Sequence, residues 1–176
     1  DRLRNLYDDG ILYNDHCLGL LIAEIKQLGL YDDTLFIIVG DHGEAFYEHG
    51  FYTHGHPPYD ELIHVPLIMK FPGGEFAGRR APGLVELIDI VPTVTAVADT
   101  HHPPETKRFL QGKNLLPLLQ DEAAQVKPYT FSDTQSLSIH NQYLSVRSPE
   151  WKYIQIRKPK RDGQTLFKTV QHVLAR

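Results

Sequence analysis

Between positions 42 and 64 the chain carries His42, His49, His54, His56 and His64, half of its 10 histidines. Asp41 stands directly before the first of them, and Glu44 and Glu48 lie among them. An adjacent carboxylate and imidazole are both good ligands for a divalent cation, and at the end of a rigid strand their positions would be fixed. Two ligands do not fill a coordination shell. His49, His54 and His56 could close back toward Asp41 and His42, since Gly43, Gly50 and Gly55 let the intervening backbone bend sharply. The competing reading of the Asp41-His42 pair is local: both side chains would simply hydrogen-bond the backbone of their loop.

Elements on either side must position this cluster. Leu18, Leu21, Ile22, Ile25 and Leu28 recur at three- and four-residue intervals, which predicts a helix over 12–30 that stops at Gly29 and turns Cys17 toward the core as a small buried residue. Tyr31-Asp32-Asp33 reads as a turn and Thr34 to Val39 as a strand, apolar throughout and so suited to a parallel sheet covered on both faces. Gly40-Asp41-His42-Gly43-Glu44 follows at the strand's carboxyl end, where open α/β sheets place their ligands. Val65 to Phe71 predicts a second core strand ended by Pro72-Gly73-Gly74. Val85 to Ile90 suggests a short strand or approach segment, and Asp89-Ile90-Val91-Pro92 opens an apolar helix to about Ala98, with proline suited to its first turn.

Residues 99–127, with Pro103-Pro104 and scattered charges, read as surface connection. Beyond them 129–132, 142–147 and 152–157 alternate in the period of two expected of half-exposed antiparallel strands, and 166–174 suits a terminal helix. The organisation expected is thus residues 1–100 as an α/β core with the site loop, 101–127 as a connection, and 128–176 as a small antiparallel subdomain with that helix.

Composition excludes several classes. With 18 Lys and Arg against 22 Asp and Glu, the net charge of −4 argues against a general electrostatic grip on nucleic acid. No apolar run approaches the roughly 20 residues that cross a bilayer. A single cysteine excludes an internal disulfide and a thiolate zinc cluster. The chain starts at Asp1 and its one methionine is Met69, so it is expected to be a piece of something longer.

Several motifs resemble, in order and spacing, the second half of the sulfatase family of the alkaline phosphatase superfamily. They are Gly40-Asp41-His42-Gly43-Glu44, Glu48-His49-Gly50, His54-Gly55-His56, Tyr59-Asp60-Glu61, Val65-Pro66-Leu67-Ile68 with Pro72-Gly73, and Ile88-Asp89-Ile90-Val91-Pro92-Thr93. Tyr13-Asn14-Asp15 and Asp33-Thr34-Leu35-Phe36 upstream, and Tyr143 to Arg147 with Trp151 to Ile154 downstream, extend the resemblance to about 7–156. It implies part of an alkaline-phosphatase-like α/β/α sandwich with a mainly parallel sheet, followed by a small antiparallel C-terminal sheet.

The resemblance also implies roles. Asp41 takes the place of the carboxylate ligand of one divalent cation (calcium, manganese or zinc), and His42 the neighbouring ligand place where many sulfatases have Asn. An imidazole there shifts preference from calcium toward manganese or zinc and is similar to phosphate and phosphonate ester hydrolases and phosphotransferases of the superfamily. His54 falls where relatives place a Lys or His that grips sulfate or phosphate oxygens or serves as general acid. His56 is its rival, because the loop tolerates shifts of a residue or two. Glu44 orders the loop or supports His42, His49 braces the loop, His64 is structural, and Asp15 and Asp89 are helix and cap residues.

The family's nucleophile, a Cys or Ser in a Cys/Ser-x-Pro-Ser-Arg motif, is not in this sequence; Ser148-Pro149 reads as a turn. These 176 residues alone are therefore expected to be inactive. The leading expectation is the C-terminal portion of a metal-dependent hydrolase of small sulfate esters. A phosphate or phosphonate ester hydrolase or phosphotransferase is the alternative, and a noncatalytic binding domain or His-rich metal-binding module the further one. A half sheet of this kind is also expected to self-associate through its open edge.

Overall fold

Apolar spacing of three and four residues produces a long first helix, α1 (Arg2–Gln27), in the computed structural model, which describes residues 2–100, 110–121, 123–135, 141–159 and 165–170. The helix begins well before the expected start and ends where glycine predicts. Gly29 takes φ +69°, its N–H reaches Lys26 O at 3.0 Å, and Leu30 N–H reaches back to Ile25 O at 3.0 Å. This paired closure ends helices with a left-handed residue, for which glycine carries no Cβ penalty. Only Leu18, Ile22 and Ile25 form a half-covered stripe, while Leu12, Leu20 and Leu21 stand exposed. Cys17 is exposed as well, contrary to the buried position expected of it, because it lies off the narrow stripe this chain covers.

The described residues fall into two units, one running to His54 and including His64–Gly78, the other comprising Gly55–Ile63 and the chain from Arg79 onward. In the first, β1 (Phe36–Val39) follows α1, and two short strands, β2 (Ala45–Phe46) and β3 (Tyr52–Thr53), form a hairpin. Strand β1 pairs with β4 (Leu67–Lys70), with Phe36 opposite Lys70 and Val39 opposite Leu67. The pairing is antiparallel, so the parallel sheet inferred from an all-apolar strand is not found among the described residues; an apolar run carries no strand direction, and Ile38, Val39 and Ile68 stand exposed here rather than covered on both faces. Lys70 Nζ donates to Tyr31 O, to Asp32 O at 3.0 Å and to Thr34 O at 3.1 Å, and lies 4.4 Å from the Tyr31 ring centre. One cation thereby satisfies three carbonyls of the turn that feeds β1.

The second unit contains the short helices α2 (Asp60–Ile63), α3 (Ile90–Val97) and α4 (Leu116–Gln120) and an antiparallel sheet. Its strands are β5 (Thr130–Gln135), β6 (Gln142–Arg147), β7 (Lys152–Pro159) and β8 (Thr165–Val170), in that order. The first three match the alternating runs. The fourth replaces the terminal helix expected over 166–174: Thr165 to Val170 completes the sheet beside β7, and 171–174 lie outside the described residues. Of the short strand or approach segment expected over 85–90, the structure shows the second: Leu87–Asp89 is a single 3-10 turn, around which Glu86 and Asp89 close a reciprocal capping box.

Asp89 is fully buried and organises this unit. Its carboxylate accepts Glu86 N–H, Lys113 N–H and Lys127 Nζ, each at 2.7 Å, and Thr93 donates to its carbonyl at 2.7 Å. Thr93 Oγ1 in turn accepts Leu115 N–H at 3.0 Å. Residues 110–121 are thus no mere surface connection: Leu115 and Leu118 are buried, while 101–109 and 122 lie outside the described residues. Gly112 makes this possible, since a Cβ there would sit 1.9 Å from Ile88 O. Gly112→Ala is expected to lower unfolding free energy by about 2 kcal/mol, the range for overpacking, read as a drop in the denaturant midpoint; an unchanged midpoint would show that this approach is not needed.

Candidate functional site

The chain leaves β1 at Gly40, whose N–H donates to Pro66 O at 3.2 Å beside β4, and this tether sets the origin of the site loop. Asp41 and His42 follow at once. Asp41 Oδ1 accepts the His42 backbone N–H at 2.9 Å, while Oδ2 faces His42 Nε2 across 3.9 Å. His42 Nδ1 lies 2.9 Å from Gly43 O. A carbonyl oxygen only accepts, so Nδ1 carries the proton and the neutral ring keeps its lone pair at Nε2, on the side of Asp41 Oδ2. The local reading of the pair is therefore half right. One atom of each side chain is occupied by backbone, and the other two, Asp41 Oδ2 and His42 Nε2, face each other across 3.9 Å.

The hairpin β2–β3 returns His54 to this pair. Its ring centre lies 4.3 Å from that of His42, and its Nδ1 lies 3.3 Å from Glu44 Oε2. The contact follows from register: Ala45 pairs with Thr53 and Phe46 with Tyr52, so Glu44 and His54 are the next residues outward on facing strands. Thr53, a β-branched residue just before His54, takes φ +68°. Such a conformation costs about 1–3 kcal/mol and persists where surrounding structure enforces it. Glu44 was expected to order the loop or to support His42; the register places its Oε2 beside His54.

The hairpin is fixed to α1. Glu48 Oε2 accepts Phe46 N–H at 2.6 Å and Oε1 accepts Arg4 Nη2 at 2.8 Å, while Tyr7 packs edge-on against Phe46 with ring centres 5.3 Å apart. Backbone N–H donors, and secondarily the Arg4 guanidinium, hold the Glu48 carboxyl below its ordinary pKa. Glu48 thus braces this loop beside His49, the neighbour expected to do so.

Asp41, His42, Glu44 and His54 consequently form one cluster in the first unit. His56 belongs to the second unit, half-buried and followed by buried Pro57 and Pro58, and His64 is exposed between α2 and β4. Among the described residues no group of three or more His, Cys, Asp or Glu side chains is arranged to hold a metal ion. The donor set fits a cation at two positions, a carboxylate oxygen and a bare imidazole nitrogen, with any further ligands coming from elsewhere.

A second charged cluster escaped the sequence reading. Asp60 accepts from Lys152 Nζ at 2.8 Å and from Arg147 Nη2, and Arg147 and Lys152 are directly opposite each other on β6 and β7. Burial pushes the Asp60 carboxyl up, but the hydrogen bonds and charges of Lys152 and Arg147 outweigh it and hold the pKa below the ordinary value. Burial pushes the Lys152 ammonium down, with Asp60 acting in the opposite direction. One signal was available: Lys152 shares the inward face of its strand with Ile154, and a cation on a buried face requires a counterion.

Comparison with known proteins places these features. The family model described as Sulfatase matches residues 1–100. Arylsulfatase K of Mus musculus is 33% identical over 148 residues, covering 80% of this chain and 26% of that protein. The multifunctional alkaline phosphatase superfamily protein PehA of Trinickia caryophylli is 34% identical over 122 residues, covering 68% of this chain and 23% of its own length. A solved 2-O GAG sulfatase structure superposes with a TM-score of 0.60 at 24% identity, over 80% of this chain and 30% of that one, and shows a shared fold. The chain spans about a quarter of the length of these curated relatives. With the family model matched across more than half its residues, the chain belongs to the sulfatase family.

Proposed function

We propose that the chain is the C-terminal portion of the catalytic domain of a metal-dependent hydrolase of small sulfate esters. Asp41 and His42 hold one divalent cation, and His54 contacts the transferred group, with His56 as the alternative for that contact. The observation that carries this reading is the convergence of Asp41 Oδ2 and His42 Nε2 beside the His54 ring in a chain of this family. When bound, the cation offsets charge developing on the non-bridging oxygens of the ester. Asp41 supplies formal negative charge and His42 a neutral nitrogen, a mixed set that suits manganese or zinc better than calcium. In its charged form His54 keeps its Nδ1 proton on Glu44 and offers a second N–H at Nε2 to the leaving oxygen. In this reading residues 1–100 form the second half of the α/β core, 101–127 connect, and 128–176 form the C-terminal subdomain. The nucleophile, the remaining ligands and the parallel sheet of the sandwich would come from the portion of the relatives that this chain does not span.

Turnover of phosphate or phosphonate esters is the second reading, favoured by His42 where many sulfatases have Asn and by the 34% identity to the alkaline phosphatase superfamily protein of Trinickia caryophylli. The test is turnover by the full-length enzyme, loaded with manganese, on matched aryl sulfate, phosphate and phosphonate esters. Faster turnover of the sulfate is expected. Faster phosphate or phosphonate turnover would replace the first reading with the second, and no turnover of any would overturn both. In the same enzyme His54→Ala is expected to reduce kcat by about 10²–10⁴-fold, the range for a positioned acid or base, with the metal retained. His49→Ala should leave measurable turnover. Loss of metal in His54→Ala would make His54 a ligand.

A further inference from the structure

We propose that Glu44 is the positioning residue for His54, fixing the proton on Nδ1 so that every proton His54 gives or takes passes through Nε2. This rests on the reading of His54 as the group beside the substrate.

Three observations carry it. The contact between His54 Nδ1 and Glu44 Oε2, at 3.3 Å, joins side chains of unequal exposure: Glu44 is 26% exposed and His54 58%. The more buried carboxylate therefore anchors the more open imidazole. A carboxylate oxygen only accepts, so the ring nitrogen facing it must be the one that carries hydrogen. Free neutral imidazole has no such constraint, and the nitrogen chosen in a protein is set by the partner of the other.

The second observation is register. Glu44 and His54 extend the ladder formed by Ala45 with Thr53 and Phe46 with Tyr52. That hairpin is closed at its tip by Tyr47 N–H to Phe51 O at 2.8 Å and held to α1 by Arg4 and Glu48. The partnership is thus built into a two-strand element with both ends restrained.

The third is the other oxygen. Glu44 Oε1 is buried and is the one such side-chain atom among the described residues without a hydrogen-bond partner. Leaving a buried carboxylate oxygen unpaired is costly, and Glu44 bears that cost while its Oε2 faces the ring. Here neither oxygen is used on the loop's backbone; Oε2 is committed to the ring. Imidazole orientation by a neighbouring carboxylate is a recurrent arrangement where the opposite nitrogen must do chemistry.

The test begins with long-range ¹H–¹⁵N spectroscopy of the full-length enzyme labelled at histidine. Neutral His54 is expected with its proton on Nδ1; in Glu44→Ala it should move to Nε2, whereas Glu44→Gln, which keeps a carbonyl acceptor, should preserve the wild-type pattern. In the full-length enzyme Glu44→Ala is expected to lower kcat about 10-fold, within the range of lost support to a functional imidazole, with KM changed less than 3-fold and most of the loss restored in Glu44→Gln. An unchanged His54 tautomer in Glu44→Ala overturns the proposal, as does a changed tautomer with unchanged kcat. Equal loss in Glu44→Ala and Glu44→Gln with a native tautomer in the latter also overturns it. If the wild-type enzyme hydrolyses none of the esters, the hydrolase reading fails, while the tautomer still decides whether Glu44 fixes His54.

Discussion

Replacing Asp41 with alanine is expected to strip the full-length enzyme of its divalent cation and to reduce turnover by about 10³-fold or more. A cation acting on developing oxygen charge supplies several kcal/mol, and each 1.36 kcal/mol is a factor of about ten in rate. Asp41 has no other employment that would explain such a loss. Its side chain is 90% exposed, and the one hydrogen bond it makes among the described residues is accepted from the N–H of the next residue. The fold should therefore survive: the melting temperature of the metal-free variant is expected to match that of the metal-free wild type. Metal content measured on the purified variant separates the two ways the prediction can fail. Metal lost with activity kept would remove the cation from the reaction, and metal kept would place Asp41 outside the ligand set.

The second large effect concerns stability. Asp60→Ala is expected to lower unfolding free energy by about 2 kcal/mol. Breaking a fully buried pair costs about 3–5 kcal/mol, and the smaller figure reflects the 40% exposure of Asp60 and its screening by water. Two features nevertheless make the loss substantial. Lys152 is only 1% exposed at its side chain and would keep a buried charge without its carboxylate. Arg147 stands directly opposite it, so like charges would face each other across the sheet. Lys152→Met should cost much less, within about 1 kcal/mol, since Arg147 still serves Asp60 and a buried cation is removed. Adding Lys152→Met to Asp60→Ala should recover most of the loss. The pH dependence has a definite sign. Because the folded pKa of Asp60 is depressed, its contribution is present above the ordinary carboxylate pKa of about 3.9 and is lost as pH falls through the folded value. Denaturation curves of wild type and Asp60→Ala between neutrality and acid should converge; a constant difference would show that the ion pair is not its source.

The contrast between these clusters explains what the sequence revealed. The end of α1 at Gly29, the runs that became β1 and β4, and the alternation of β5 to β7 are local signals, carried by residues a few positions apart. The position of Asp41 and His42 directly after a strand was legible for the same reason, while a ligand role for them, left open by the residues alone, came only from the family resemblance. Pairing is not local. Nothing in two apolar runs fixes whether they align or oppose, so β1 and β4 proved antiparallel. The 166–174 segment has apolar residues that suit a helix on spacing, yet β7 offers an edge whose hydrogen bonds Thr165 to Val170 satisfy. The Glu44–His54 contact depends on hairpin register, and Asp60 meets Lys152 from 92 positions away. A fully buried Asp89 was legible as a cap, but its hold on Lys113 and Lys127 was not, because those residues lie in a stretch whose charges suggested solvent.

Asp41 and His42, in the proposed function, are ligands of one cation beside His54. Anomalous diffraction from crystals of the full-length enzyme grown with manganese tests this most directly. A single strong peak is expected within ligand distance of the Asp41 and His42 side chains, absent from Asp41→Ala. A peak held by other residues, with both of these side chains bonded only to protein, would contradict it.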